Sequence, residues 1–299
     1  MGRPIATPQV DRVVALRDGR RVAYAEWGRT GGRPVVLLHG MPGSRLLCPD
    51  AEATVRAGVR LITIDRPGYG LSSPNPGRTL LGWVDDYVEW AELIGLAPCP
   101  IVGWSSGGPY ALACAARRPE CVTAVGLAAS PAPLDEVPSE WDGLSVEARE
   151  LTEVLRRDTS AAMDRIRSRC QWFESDWEAM FEPAWASSRA GVDVVDPDDV
   201  LLARREVLEP MLDEMREAVR QGTAGYVEDW VAESLPWGFS PAEVRHDVHV
   251  WWGDGDLLVA RDCAEHFART IKRAALTVLP GEGHLFPLQH WQEILVALH

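Results

Sequence analysis

The chain has 299 residues, of which 46% are hydrophobic, and it carries a net charge of −14 at neutral pH. This length exceeds one average domain but suits a single α/β core. The charge is spread along the chain rather than run together, which argues against nucleic acid or anionic membranes as partners. No run approaches about 18 apolar residues, and residues 1–12 lack the apolar core of a signal peptide, so we expect a cytoplasmic protein.

Two apolar runs in the first quarter of the chain end in glycine-rich turns. Val35–Leu38 has the continuous apolar, β-branched character of a strand buried on both faces, and it stops at the loop His39–Ser44. Arg60–Ile64 leads in the same way into Asp65–Gly70. Loops at the ends of buried strands are where α/β sheets present their backbone to ligands, so we expect part of a functional site here.

A third motif, Gly103-Trp104-Ser105-Ser106-Gly107, follows the apolar run Pro100–Val102 and precedes the helix-forming run Tyr110–Ala116. A strand, a sharp turn and a helix would expose the Ser105 hydroxyl at the apex, with the next backbone N–H facing a developing oxyanion. The pattern alone occurs by chance on the order of once in ten chains like this one. The alternative is a glycine-rich turn between a strand and a helix that has no catalytic role. The strand and helix predicted on either side favour the interpretation of Ser105 as a nucleophile.

With these three motifs in this order, the chain resembles the α/β-hydrolase superfamily, and in particular its capped serine hydrolases of esterase and proline-iminopeptidase type. The resemblance extends from the first hairpin-like strands to the last helix. It implies an α/β fold with a mostly parallel, doubly wound, eight-stranded sheet and an inserted helical cap. It also implies that Ser105 is the nucleophile and that the backbone N–H groups of Met41 and Ser106 form the oxyanion hole.

A nucleophilic serine needs a base, and the base needs an orienting carboxylate. In this family the acid follows the serine and the histidine comes last, each in a loop after a strand. The corresponding apolar runs are Val248–Trp252 and Leu276–Leu279. By resemblance to the G-x-x-D and G-x-G-H loops, the acid is Asp256 and the base His284. Asp254, two residues from Asp256, and Asp135, after the preceding strand, remain alternatives for the acid.

The strand pattern stops near Pro131 and resumes at Val248. Between them the periodicity predicts only helices, separated by Pro and Gly. The predicted segments are Val146–Arg157, Ala161–Trp172, Pro197–Leu208 and Pro210–Arg220. We therefore expect a hydrolase core over residues 1–130 and 241–299, with a helical cap over 131–240 between strands 6 and 7. A cap of this kind acts as a lid and supplies much of the substrate pocket.

The expected cap is rich in aromatic residues, which favours an apolar or aromatic substrate. For any single tryptophan, packing between helices is the more common role. Trp104, next to the proposed nucleophile, is a better candidate for the pocket wall than any single cap tryptophan. His39 is expected mainly to order its loop. The residues considered for the pocket are His39, Gly40, Trp104, Trp172, Trp177 and Trp185.

These features predict a serine hydrolase that cleaves an ester, thioester or related acyl bond of a small, largely apolar or aromatic molecule through an acyl-enzyme. No metal or organic cofactor is implied. The six cysteines are scattered, with no C-x-x-C pair and no histidine at metal-ligand spacing.

Three alternative functions use the same residues. A proline-iminopeptidase-type exopeptidase could hold a substrate ammonium with cap acids such as Glu174, Glu178 and Glu182, although the elbow and the Asp65 turn depart from that group's usual sequences. A cofactor-free lyase or C–C hydrolase is the second alternative. The third is a small-molecule sensor that retains the triad. Epoxide hydrolases and dehalogenases are disfavoured because they need Asp where Ser105 stands.

Overall fold

The computed structural model describes residues 7–137, 146–176 and 196–298, with the side chains of 146–148, 169 and 171–176 left out. The strands of the described chain are β1 (Val10–Ala15), β2 (Arg21–Gly28), β3 (Arg33–Leu38), β4 (Val59–Ile64), β5 (Cys99–Trp104), β6 (Val122–Ala128), β7 (Val248–Gly253) and β8 (Ala274–Leu279). The α-helices described are α1 (Ala51–Arg56), α2 (Leu80–Leu93), α3 (Gly107–Arg117), α4 (Val146–Arg157), α5 (Thr159–Asp176), α6 (Pro197–Leu202), α7 (Arg205–Ala218), α8 (Ala224–Ser234), α9 (Arg261–Thr270) and α10 (Pro287–Ala297).

The strands form one sheet of eight in the order β1-β2-β4-β3-β5-β6-β7-β8. β2 runs antiparallel to both of its neighbours, and the remaining pairs from β4 to β8 are parallel. Helices α2, α3 and α9 cover one face, while α1 and α10 cover the other, so β5 is buried along its whole length. The predicted mostly parallel, doubly wound sheet is confirmed.

Parallel strands direct their carboxyl ends to the same edge of the sheet, which gathers the glycine-rich loops. Leu38 at the end of β3 lies opposite Gly103 of β5, and Trp104 lies opposite Ala128 of β6. The loops that follow β3, β5 and β7 therefore meet along one edge, where sheets of this type form their sites.

Every described element between β6 and β7 is helical. These elements are the α-helices α4 to α8, followed by one short 3₁₀ helix before β7. Helices α4, α5 and α8 share a small apolar core of their own that includes Leu155, Ile166 and Val227. The predicted helix Val146–Arg157 is helical over its whole length and ends at Arg157 as predicted, and the predicted segment Ala161–Trp172 lies within α5.

The predicted helix break before Pro210 is wrong. Helix α7 runs through Pro210, and the chain instead breaks at Arg204, whose extended backbone (φ −88°, ψ 115°) separates α6 from α7. A proline inside a helix costs a hydrogen bond to the residue four positions earlier. Met215 and Ala218 on the apolar face of α7 are buried. Because tertiary packing of this face supplies most of the stability of a helix, it outweighs the poor helix propensity of Pro210.

In the part of the chain that the structure describes, no helix is both long and apolar enough to cross a bilayer.

Candidate active site

Ser105 lies at the turn between β5 and α3 with a φ of +53°, a region that residues other than glycine seldom adopt. The crossing of strand and helix at this turn is very close. A Cβ on Gly103 would overlap the backbone of Gly107, and a Cβ on Gly107 would overlap the Leu38 carbonyl oxygen. The Ser105 N–H donates to the Ala128 carbonyl at 2.8 Å. The glycines of the motif therefore permit the turn that presents the serine.

The loop after β3 lies directly against this turn, since a Cβ on Gly40 would come within 3.4 Å of the Ser105 Cβ. His39 is buried there, with Nδ1 at 2.7 Å from the Gly40 carbonyl and Nε2 accepting from the Arg66 N–H at 3.2 Å. Burial, together with the charge of Arg66, lowers the pKa of His39 well below its usual value. The ring is neutral and both nitrogens are engaged, so His39 orders the loop that carries Met41.

Asp256 and His284 come together from the loops after β7 and β8. Asp256 Oδ2 lies 3.0 Å from His284 Nδ1. The other oxygen, Oδ1, accepts from the N–H groups of Leu258 and Val259 at 2.8 and 3.0 Å. The carboxylate is held rigidly by backbone and directs one oxygen at the imidazole, which fixes the ring so that Nε2 can serve as a base.

The other two candidate acids lie elsewhere. Asp254 accepts from the Gly281 N–H at the surface and so ties the two loops together. Asp135 is exposed and forms an ion pair with Arg156. Of the three carboxylates, the structure brings Asp256 to His284.

Trp104 is only 5% exposed and belongs to the apolar cluster that contains Phe286 and Trp291. Its indole N–H donates to the His284 carbonyl at 3.2 Å. Its position in a pocket wall stays a prediction. Trp104 packs in the core and links the residue before Ser105 to the loop of the histidine.

The three tryptophans proposed from the cap cannot be placed in the same way. Trp172 lies on α5, but its side chain is outside the described atoms, and Trp177 and Trp185 lie outside the described residues.

Asp198, which the sequence did not single out, lies against the histidine loop. Its carboxylate accepts from the N–H groups of His284 and Leu285, each at 2.9 Å. Burial raises the pKa of Asp198 to about 6. A Cβ on Gly283 would overlap this carboxylate, and one on Gly255 would come within 2.8 Å of Pro197. Helix α6 thus touches both the acid loop and the base loop.

A second group that sequence reasoning missed is centred on Asp229 of α8. This buried carboxylate accepts from Arg66 at 2.6 Å, from Arg78, and from the hydroxyls of Tyr69 and Tyr110 at 2.9 and 2.6 Å. Burial alone would raise the pKa of Asp229, but the two guanidinium groups outweigh it and lower the pKa. The single carboxylate joins α8 to the loop after β4 and to the helix that follows Ser105.

Glu233 lies on α8 one helical turn after Asp229 and contacts the serine turn. The Ser106 hydroxyl donates to Glu233 Oε2 at 2.9 Å. Burial and the nearby charge of Asp229 raise the pKa of Glu233 well above its ordinary value. Asp229 and Glu233 are four residues apart, a spacing that places two side chains on one face of a helix, and this spacing was the signal available in the sequence.

Three groups lie at this edge of the sheet. They are the Ser105 hydroxyl on its sharp turn, the His284 imidazole held by Asp256, and the backbone amides of the loops after β3 and β5. Nucleophilic catalysis by serine uses groups of these three kinds. Among the described residues, no group of three or more His, Cys, Asp or Glu side chains is placed to hold a metal ion.

Comparison with known proteins places these features in a family. The model of the alpha/beta hydrolase family matches residues 35–298. A proline iminopeptidase of Xylella fastidiosa is 31% identical over 129 residues, which cover 42% of this chain and 41% of that protein, so the match spans less than half of that relative. A 2-hydroxy-6-oxononadienedioate/2-hydroxy-6-oxononatrienedioate hydrolase of Burkholderia vietnamiensis is 26% identical over 299 residues, with 95% of this chain and 92% of that protein covered.

The fold has solved counterparts as well. A bromoperoxidase from Bacillus anthracis superimposes with a TM-score of 0.69 at 21% identity, covering 97% of this chain and 98% of that one. The likeness at this identity concerns the fold, whereas the family model matches the sequence itself over most of its length. The chain therefore belongs to the alpha/beta hydrolase family.

Proposed function

We propose that this protein is a serine hydrolase that cleaves an ester, thioester or related acyl bond of a small, apolar or aromatic substrate. The observation that carries the proposal is the strained turn of Ser105, at the same sheet edge as the Asp256–His284 pair. Ser105 attacks the acyl carbon, and His284 takes the hydroxyl proton and returns it to the leaving group. Asp256 holds the imidazole tautomer and stabilises its charged form.

The negative charge that develops on the acyl oxygen needs preorganised donors. In the proposal these are the backbone N–H groups of Met41, in the loop against Ser105, and of Ser106, at the start of α3. One such donor is typically worth about 3 kcal/mol in the transition state. Water then attacks the acyl-enzyme and releases the acid, so no cofactor is needed.

The helical insert over residues 131–240 is proposed as the lid of this site. Two contacts support the proposal: Glu233 of α8 bonds to Ser106, and Asp198 of α6 bonds to the backbone of His284. The preference for an apolar or aromatic acyl group rests on the many aromatic residues in this part of the sequence.

A fluorophosphonate probe and a series of p-nitrophenyl esters test the proposal together. The probe should label Ser105, with Ser105→Ala unlabelled and inactive but as stable as the parent, since only one hydroxyl is lost. Each further buried methylene of the acyl chain should add about 0.8 kcal/mol of binding, which raises kcat/KM until the pocket is full. Absence of labelling, or labelling that persists in Ser105→Ala, would contradict the proposal.

A C–C hydrolase is a second candidate, because the Burkholderia hydrolase aligns along almost the whole chain. The same serine, histidine and aspartate can serve in that reaction. A 2-hydroxy-6-oxo-dienoate substrate separates the two candidates: turnover of this compound at a rate far above that of the esters would favour C–C cleavage.

A further inference from the structure

Helix α6 lies across the two loops that carry the proposed acid and the proposed base. In the loop after β7, a Cβ on Gly255 would come within 2.8 Å of Pro197. In the loop after β8, a Cβ on Gly283 would overlap the Asp198 carboxylate. The start of α6 is itself fixed, since the Asp198 N–H donates to Oδ1 of the capping residue Asp196 at 2.9 Å. An element of the helical insert therefore packs directly on both loops.

The Asp198 carboxylate uses both of its oxygens on the backbone at the proposed base. Oδ2 accepts from the His284 N–H and Oδ1 from the Leu285 N–H, each at 2.9 Å. A carboxylate can accept at both oxygens, whereas an amide of the same shape has one acceptor and one donor. Hydrogen bonds to an ionised acceptor are also roughly twice as strong as those between neutral groups. The ionised form of Asp198 is the form that matches the two N–H groups.

The charges around Asp198 link it to the imidazole as well as to the backbone. Burial raises the pKa of Asp198 to about 6. The Leu285 N–H and the protonated His284 imidazole act to lower this pKa, whereas the charges of Asp196 and Asp256 act to raise it. The same attraction lets ionised Asp198 stabilise the imidazolium that forms when His284 accepts a proton.

We propose that Asp198 is a positioning residue for the proposed base: it holds the backbone of His284 and Leu285, and thereby the imidazole, in reach of Ser105. The inference rests on the proposed function, because it takes His284 as the base. Asp256 orients the ring through Nδ1, and Asp198 fixes the backbone that carries the ring. A misplacement of about 1 Å can lower a rate on the order of 10²-fold. The seating of α6 therefore sets how well the catalytic groups are aligned.

Substitutions of Asp198 test this role by steady-state kinetics on one p-nitrophenyl ester. Asp198→Ala removes both acceptors and should lower kcat about 10-fold to 100-fold, the effect of hydrogen bonds to a charged group, with KM changed only a few-fold. Asp198→Asn keeps one acceptor and should lose less. Its deficit relative to the parent should shrink below about pH 6, where the parent carboxylate becomes protonated. Asp199→Asn, the next carboxylate of α6, is the matched control and should stay within about twofold of the parent.

Gly283→Ala tests the same contact from the other side. Its Cβ displaces the Asp198 carboxylate, so kcat should fall as in Asp198→Ala. In the double variant the obstructing carboxylate is gone, and Gly283→Ala should cost little further. Denaturant unfolding shows that each variant is folded under assay conditions. Additive losses in the double variant would overturn the proposal, because Gly283→Ala would then act on the base without Asp198.

Proton NMR in the Ser105→Ala background does not depend on turnover. The Nδ1 proton between His284 and Asp256 should give a low-field resonance that is sharp with Asp198 present and broadened by exchange with water in Asp198→Ala. If the parent hydrolyses none of the esters, this difference would leave the positioning role standing and remove the proposed reaction. An unchanged resonance together with an unchanged kcat would overturn the positioning role.

Discussion

At the scale of the residue, Asp256 and Asp254 are two positions apart but have different partners and different exposure. Asp256 is buried, accepts from two backbone N–H groups and faces His284, whereas Asp254 is exposed and accepts from Gly281. The resemblance of this loop to G-x-x-D favoured Asp256 but left Asp254 as an alternative. The structural contacts of each carboxylate give the choice its physical reason.

Asp256→Asn should keep the fold and reduce kcat by about 10⁴, because an amide favours the wrong imidazole tautomer. Asp254→Asn is the matched control, since it changes a carboxylate of the same loop that accepts from the Gly281 N–H. We expect it to leave kcat within a few-fold of the parent. Steady-state kinetics on one ester, with unfolding curves for both variants, provide the measurement. The reverse ranking of the two variants would move the acid to Asp254.

At the scale of the element, α7 shows what local sequence can and cannot predict. The pattern predicted a break between Leu208 and Pro210, but the break lies earlier, at Arg204. The same helix buries Glu214, which accepts from the Ser44 N–H in the loop after β3. A buried glutamate on a charged helix face cannot be recognised from one sequence, since its partner lies 170 positions away.

Burial raises the pKa of Glu214 from 4.5 to about 8. The folded state therefore binds this proton more tightly than the unfolded state, so the contribution of Glu214 to stability is fully present below about pH 4.5 and is lost as the pH rises to about 8. Glu214→Gln should remove this dependence. Between pH 5 and 8 the parent should lose on the order of 4 kcal/mol relative to the variant.

Urea unfolding at the two pH values measures this difference. Glu209→Gln, on the same helix, changes a half-exposed glutamate that pairs with Arg205 and serves as the control. Parallel pH profiles for the parent and Glu214→Gln would show that the carboxyl does not titrate in this range.

At the scale of the whole molecule, Asp229 connects the helical insert to the core. Its partners Arg66, Tyr69 and Tyr110 belong to the hydrolase core, while Asp229 itself belongs to α8. Removing one partner from a buried ion pair is costly, because the other charges stay buried without compensation.

Asp229→Asn should therefore lower the free energy of unfolding by about 3–5 kcal/mol. Asp213→Asn is the comparison variant: its carboxylate pairs with Arg216 at the surface of α7, and such pairs contribute at most about 1 kcal/mol. Denaturant unfolding monitored by tryptophan fluorescence gives both values. A loss of under 1 kcal/mol in Asp229→Asn would mean that Arg66 and Arg78 find other partners or water.

The parts of the candidate site that follow strands could be placed at one sheet edge from the sequence, whereas the parts that come from the helices between β6 and β7 could not. The turns around Ser105, Asp256 and His284 are local patterns whose place follows from the parallel sheet. Asp198 and Glu233 contact these turns because α6 and α8 pack against them. That packing cannot be inferred from one sequence.

The contact of α6 with the histidine loop has a consequence for protein engineering. Exchanging residues 131–240 between relatives is an obvious route to new substrate ranges, since the ends of this segment lie next to strands. Such a graft would also exchange Asp198, and with it the carboxylate that holds the backbone of His284 and Leu285. A chimera that retains residues 196–202 from the recipient keeps that support, so the useful crossover points lie inside the helical segment rather than at its borders.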